Sequence, residues 1–244
     1  VVRVLVKSRP YITGGPTAAL TTGTATVSGG NLNVVNQHAP SNGITIHAGT
    51  TVQMGSGTNA FTLPGTPPRA SILDNDPSLA NLTAADDDAF FAKFFGQDIA
   101  SYSASAIYLS GSASANADAI MDAVNNPGGK CDLRFYVNGD AQFTNGVVNG
   151  RNITSIGYAG CPVTLVITGN LDMQGTVNGW GMFYSATATA GDLVNPGGGT
   201  ATINGAFISR GGFRKQGAGT FNIVYDPYLW GSGPPGSQLV KVPG

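Results

Sequence analysis

Apolar and polar residues alternate with a period of two along much of this chain, the pattern of strands with one buried and one wet face. Residues 1–12 open with it: Val2, Val4 and Val6 stand against Arg3, Lys7 and Arg9, and Pro10 ends the run. Such cations read as the solvated face or the edge protection of a strand. Across 24–65 the strands shorten. TATVSGG, NLNVVNQ, GITIHAG and TTVQMGSG each set a short apolar run between Gly and Asn, and they recur about every ten residues, as in a stack of strands and tight turns. His47 lies in one such strand as a sheet-face residue; His38 lies in a loop beside Pro40.

The period changes between 76 and 126. Asp76 before Pro77 reads as a turn or as the cap of a short helix, and the DNDP segment holds too few oxygens to wrap an ion. A helix is predicted over 83–95, with Thr83 as N-cap and Asp86, Asp87 and Asp88 at the positive end of its dipole. Phe90, Phe91, Phe94 and Phe95 form one broad apolar face, an anchor into a core, and Gly96 ends the helix. A strand follows over 106–110. A second helix is predicted over 114–126, capped by Ser114, with Ala117, Ile120, Met121 and Val124 as its buried stripe.

From Cys131 the chain becomes quasi-repetitive. Val137, Ile167 and Ile203 precede the corners NGD, TGN and NGA, and tight corners of this kind favour Asn and Gly because they need positive φ. Recurrence at this spacing suits coils of a solenoid with inserted loops. VNGDAQF, ITGNLDM and INGAFIS would then lie one above another. An antiparallel meander is the alternative, since Asn-Gly is also a hairpin signal. The expected fold is mainly β: a right-handed parallel β-helix with two short helices outside or capping it. Residues 1–23 form an N-terminal strand and connection, 24–230 the solenoid with a helical insertion near 76–126, and 231–244 a Gly/Pro-rich tail.

Composition sharpens this picture. Charged residues are 10% of the chain and Gly is 36 of 244, against roughly 25% charged and about 7% Gly in ordinary domains. Glu is absent, so the best surface-helix formers are scarce and a mostly helical protein is excluded. The net charge of −1 argues against a strongly electrostatic partner. The two cysteines, Cys131 and Cys161, suit a disulfide in a low-charge extracytoplasmic protein, with two buried thiols as the alternative.

The sequence has no GxSxG, HExxH, CxxC or P-loop. Asp140 and Asp172 occupy matching places in successive repeats, as stacked carboxylates do in solenoid polysaccharide-active enzymes, but Asp is also an ordinary corner residue. No catalytic, cofactor or metal residue is assigned, and no turnover is expected. Arg210, Arg214 and Lys215 surround Gly211-Gly212 and form a candidate contact for DNA or another acidic ligand. Trp180, Phe183, Tyr184, Tyr228 and Trp230 are candidates for stacking on bases or sugars, with core packing as the alternative.

The segments DPSLANL and DAFFAKFFG, then the Gly/Asn-corner repeats closing with TFNIVYDPYL, resemble the PilX-like minor pilins of type IV pili. In that family an N-terminal hydrophobic helix, absent from these 244 residues, precedes a strand-rich region with a β-helix insert. VVRVLVKSRPYI looks like the pilin-type strand after that helix. The resemblance implies a non-enzymatic pilus component, a priming or tip subunit on the cell surface or in the periplasm. Its partners would be other pilins, with DNA or a surface ligand as further possibilities, and it would meet the membrane only through the absent helix. A secreted β-helical adhesin or an ice- or carbohydrate-binding module is the second reading. The Thr residues form no regular TxT ladder, which weighs against ice.

Overall fold

The computed structural model describes residues 15–24, 30–67, 69–128, 131, 133–144, 147–148, 151–152, 155–187, 191–194, 198–215 and 217–230. The strand expected over 1–12, with Arg3, Lys7 and Arg9, and the tail at 231–244 lie outside them. The protein is mainly β, with a large parallel sheet and helices on its outside.

In chain order, β1 (Leu20–Thr22), β2 (Leu32–Val35), β3 (Ile46–Ala48), β4 (Thr58–Phe61) and β5 (Ile72–Leu73) come first. The helices α1 (Pro77–Ala85), α2 (Asp87–Phe95) and α3 (Ile99–Ser105) follow, then β6 (Ile107–Leu109) and α4 (Ala113–Asn125). Next are β7 (Leu133–Val137), β8 (Ala141–Thr144), β9 (Val147–Val148), β10 (Arg151–Asn152), β11 (Ser155–Ile156), β12 (Val163–Ile167) and β13 (Leu171–Gln174). The last are β14 (Asn178–Ser185), β15 (Gly191–Val194), β16 (Thr200–Ser209), β17 (Phe213–Lys215) and β18 (Thr220–Tyr225).

The strands from β7 onward pair in parallel, apart from the short β9–β10 hairpin, which excludes the meander. Three ribbons result. The first runs β11-β14-β16-β18-β2-β4. The second runs β6-β7-β12-β14-β16-β1-β3-β5. The third is the sheet β8-β13-β15-β17. The long strands β14 and β16 belong to the first two ribbons at once, bending at Gly181 and Gly205. These are register partners, with φ of 132° and 134°. A Cβ on Gly205 would strike the Gly181 carbonyl, and one on Gly181 the Val163 carbonyl, so the bend requires glycine both for its backbone angle and for the close approach.

One rung is composite. β18 lies beside the first part of β16 and β1 beside its last part, so segments from the two ends of the described chain complete a single level. The strands β2 to β5 then continue the stack beyond it. The expected boundary after residue 23 therefore falls at the end of β1, which is hydrogen-bonded on both sides within the large sheet.

This order explains the helices. β5 and β6 end opposite edges of the second ribbon, roughly 34 Å apart at about 4.8 Å per strand. The chain must cross that distance, and α1, α2 and α3, with nine, nine and seven residues, supply roughly 38 Å at about 1.5 Å per residue. They cross on the outside of the ribbon. Phe90, Phe91, Phe94, Phe95 and Tyr102 bury themselves against Val166, Met182, Tyr184, Ala206 and Ile208. The main core lies between the sheets, built from residues such as Phe135, Leu165, Phe183, Phe207 and Phe221. α4 adds Ala117, Ile120, Met121 and Val124 to it at the β7–β8 end. Buried Asn116 anchors α4 by donating to the Asp140 carbonyl at 2.7 Å.

Four expectations need correction. The helix read over 83–95 is two helices: Asp86 is extended, ends α1, and caps α2 by accepting from the Ala89 amide. Thr83 instead lies inside α1, which Asp76 caps with Pro77 in its first turn. The second helix begins one residue earlier and is capped by Ser112, not Ser114. α3 has no counterpart among the predicted elements. Finally, Ile167 does pair with Val137, but Ile203 pairs with Gly179 and Ile223. The residue above Ile167 is Ser185, and above that Ser209. INGAFIS is thus displaced by six residues from the corner column, because a strand that turns at Gly205 reaches its next corner only at Ser209.

A candidate ligand-binding groove

The outer side of the first ribbon carries two parallel columns. Asn178, Thr202, Asn222, Asn33 and Asn59 lie in register. Their side chains form a ladder: the Asn59 amide donates to Asn33 at 3.1 Å, Asn33 to Asn222 at 2.8 Å, and Asn222 to the Thr202 hydroxyl at 3.2 Å. Two residues further along each strand stand Trp180, Asn204, Val224, Val35 and Phe61. Alternation turns these side chains to the same outer side. Phe61 is 49% exposed at the end of the column.

Two short 3-10 turns wall this second column. After β18, Asp226 accepts from the Tyr228 amide at 3.0 Å and opens the turn Pro227–Trp230. This leaves Tyr228 51% exposed. After β2, buried Asn36 accepts from the His38 amide at 2.9 Å and donates to the Ile44 carbonyl, setting the turn Ala39–Ser41. The His38 ring then lies 5.8 Å from both Tyr225 and Tyr228. Tyr225 is fixed by donating to the Pro16 carbonyl at 2.7 Å, and burial, reinforced by Asp226, raises its phenol above the ordinary value. The resulting groove of about 380 Å³ has Val35, Val224 and Asn204 as its floor, with Gln37, His38, Tyr225 and Tyr228 along its walls. His38 Nδ1 is buried there without a partner among the described residues. Among the described residues no Lys or Arg lines the groove, and Asp226 contributes a carboxylate to the lining.

The sequence-derived candidates fall elsewhere. Arg210 is largely buried and pairs with Asp87 at the start of α2. Lys215 is buried with its Nζ donating to the Gly217 carbonyl, and burial lowers its pKa from the ordinary lysine value. Arg214 is exposed between them on β17. Alternation on this strand separates its two cations, so the three do not converge on one surface. Asp140 accepts from the Asn170 amide at 2.6 Å, while Asp172 pairs in register with Gln142. The two carboxylates are therefore not stacked. Among the described residues, no three His, Cys, Asp or Glu side chains gather as a metal set. His47 Nε2 and Asp76 Oδ2 are 2.6 Å apart. Burial acts to raise the Asp76 carboxyl, but hydrogen bonds from His47 and Ser78 outweigh it and hold the group below its ordinary value.

Of the five aromatic candidates, Phe183, Tyr184 and Trp230 are buried, whereas Trp180 and Tyr228 reach the groove column and its wall. Nothing in the local sequence marks His38 or Tyr225 as groove residues, because only the β18–β2 pairing brings them together. The Cys131–Cys161 disulfide is present, with Cα atoms 4.4 Å apart. It joins equivalent positions two residues before Leu133 and Val163, which are register partners. Among the described residues no helix is long and apolar enough to cross a membrane. No family model, no curated protein and no solved structure matches the chain.

Proposed function

We propose that this chain is a non-enzymatic component of a type IV pilus, a PilX-like minor pilin whose three ribbons close into a right-handed parallel β-solenoid head. The observation that carries this reading is the in-register parallel stacking of successive rungs, stapled by a disulfide, in the segments that resemble that family. A disulfide is favoured in an oxidising compartment, which supports a place in the periplasm or on the cell surface. As a head domain the stack would present its first ribbon, while the helices α1 to α3 cover the second.

Deleting the gene tests the proposal. The expected result is loss of piliation, twitching or adhesion, restored by the intact gene; a deletion strain normal in all of these and in DNA uptake overturns it. A role in DNA uptake through Arg210, Arg214 and Lys215 is the less supported part, because Arg210 is occupied by Asp87 and Lys215 is buried. Normal uptake in the triple Ala variant removes that part alone. The second reading, an adhesin or carbohydrate-binding module, is favoured by the aromatic-walled groove. Its outer columns are dominated by Asn and apolar residues rather than by ranked Thr, which gives an ice surface little support.

A further inference from the structure

We infer that the groove beside the composite rung binds a neutral sugar chain, laid along the stack with pyranose rings against Tyr228 and the His38–Tyr225 wall. This site does not depend on the pilus reading; it would serve a pilus head and a secreted adhesin alike.

The groove's chemistry selects the ligand class. A pyranose has apolar C–H faces and a rim of hydroxyls that both donate and accept. The groove offers the complement: flat rings at Tyr225, Tyr228 and His38, an apolar floor at Val35 and Val224, and the polar edges of Asn204, Gln37 and Asp226. Amide groups both donate and accept.

Charge narrows the choice. With no cation among the described lining residues and the Asp226 carboxylate among them, nucleic acid, uronates and phosphorylated ligands would be repelled rather than held. An added peptide strand is disfavoured on different grounds. The floor strands β18 and β2 are hydrogen-bonded on both sides, so they offer no free edge for strand addition. Length also fits. The column from Trp180 to Phe61 crosses β14, β16, β18, β2 and β4, at about 4.8 Å per strand, close to the repeat of a β-linked pyranose chain. A polymer could therefore follow the column over several rings.

The test is a titration of the purified chain with cellohexaose, chitohexaose, maltohexaose and mannohexaose, read by calorimetry and by ligand-observed NMR. Heparin, polygalacturonate and a proline decamer serve as controls. Saturable binding of at least one neutral hexasaccharide is expected, with at least a tenfold loss in Tyr228→Ala and retention within about threefold in Tyr228→Phe, which keeps the ring. Tyr228 is half exposed, so its variants report on binding rather than on folding; an unchanged melting temperature checks this. His38→Ala should weaken binding as well. Failure of all four neutral sugars to bind overturns the inference. So does sugar binding unaffected by Tyr228→Ala, or occupation of the groove by the proline peptide or an anionic polymer instead.

Discussion

Strand β16 shows two fates within ten residues. From Ala201 to Asn204 buried and half-buried positions alternate, while from Ala206 to Ser209 every residue is buried. The first part has solvent on its outer side and carries Thr202 and Asn204 there; the second lies under α1 to α3, so Ala206 and Ile208 pack outward as Phe207 packs inward. The same division holds for neighbouring strands. Asn222 and Asn33 face out on the first ribbon, Val166, Met182 and Tyr184 on the second. A sheet covered on both faces needs continuous apolar runs, whereas a half-covered one needs alternation. The difference therefore separates a ribbon packed on both faces from one that, among the described residues, is packed on its inner face alone.

The sharpest way to break this comparison is to remove one Phe from each side. Phe91→Ala opens a cavity beneath the helices, next to Tyr102 and Tyr184, and should cost about 3–5 kcal/mol in urea unfolding. Phe61→Ala, at the exposed end of the groove column, should stay within about 1 kcal/mol. Equal costs would show that both ribbons are covered. Next in size, replacing Cys131 and Cys161 together by Ala should lower stability by about 2–5 kcal/mol, an effect shared by both ribbons because the bridge links whole rungs.

A smaller effect has the opposite sign. The Tyr184 hydroxyl is buried under the helices with no partner among the described residues, and burial raises its pKa above the ordinary phenol value. Tyr184→Phe should therefore raise stability by about 1 kcal/mol. It should also blunt the alkaline loss expected above pH 10, where the unfolded phenol releases its proton and the folded one keeps it. The smallest effect is at the point where the helical cover begins. Asp76 caps α1 and holds His47 of β3. Its lowered folded pKa means its contribution is complete above the unfolded value of about 3.8 and is lost as pH falls through the folded value. Asp76→Asn should flatten the pH dependence of melting below about pH 4.

Local chemistry was legible where the cause is local. The Phe90, Phe91, Phe94 and Phe95 face is buried as its spacing implied, Asp76-Pro77 does start a helix, and the strand at β6 falls where expected. The break at Asp86 was harder to see, because three consecutive Asp residues each suit a helix N-terminus and only the packed structure chooses among them. The basic cluster misled for a related reason. Arg210, Arg214 and Lys215 are close in sequence, but a strand alternates its side chains and a corner precedes it. The carboxylates Asp140 and Asp172 likewise shared a local setting without sharing a register.

The sequence by itself determined that this protein is rich in short strands and tight Gly/Asn corners, that a four-Phe face must be buried, and that two cysteines lie thirty residues apart, the same spacing as Val137 and Ile167. These follow from backbone sterics and from the cost of exposing apolar surface, both of which act on nearby residues. Only the tertiary structure decided that β1 completes the rung begun by β18, that the helices must cross back over the second ribbon, and that His38 meets Tyr225 and Tyr228 in a groove. Those outcomes depend on which strand edges pair across most of the chain. Parallel edges present nearly equivalent backbone groups at every level, so neither periodicity nor composition distinguishes one neighbour from another before the stack is assembled.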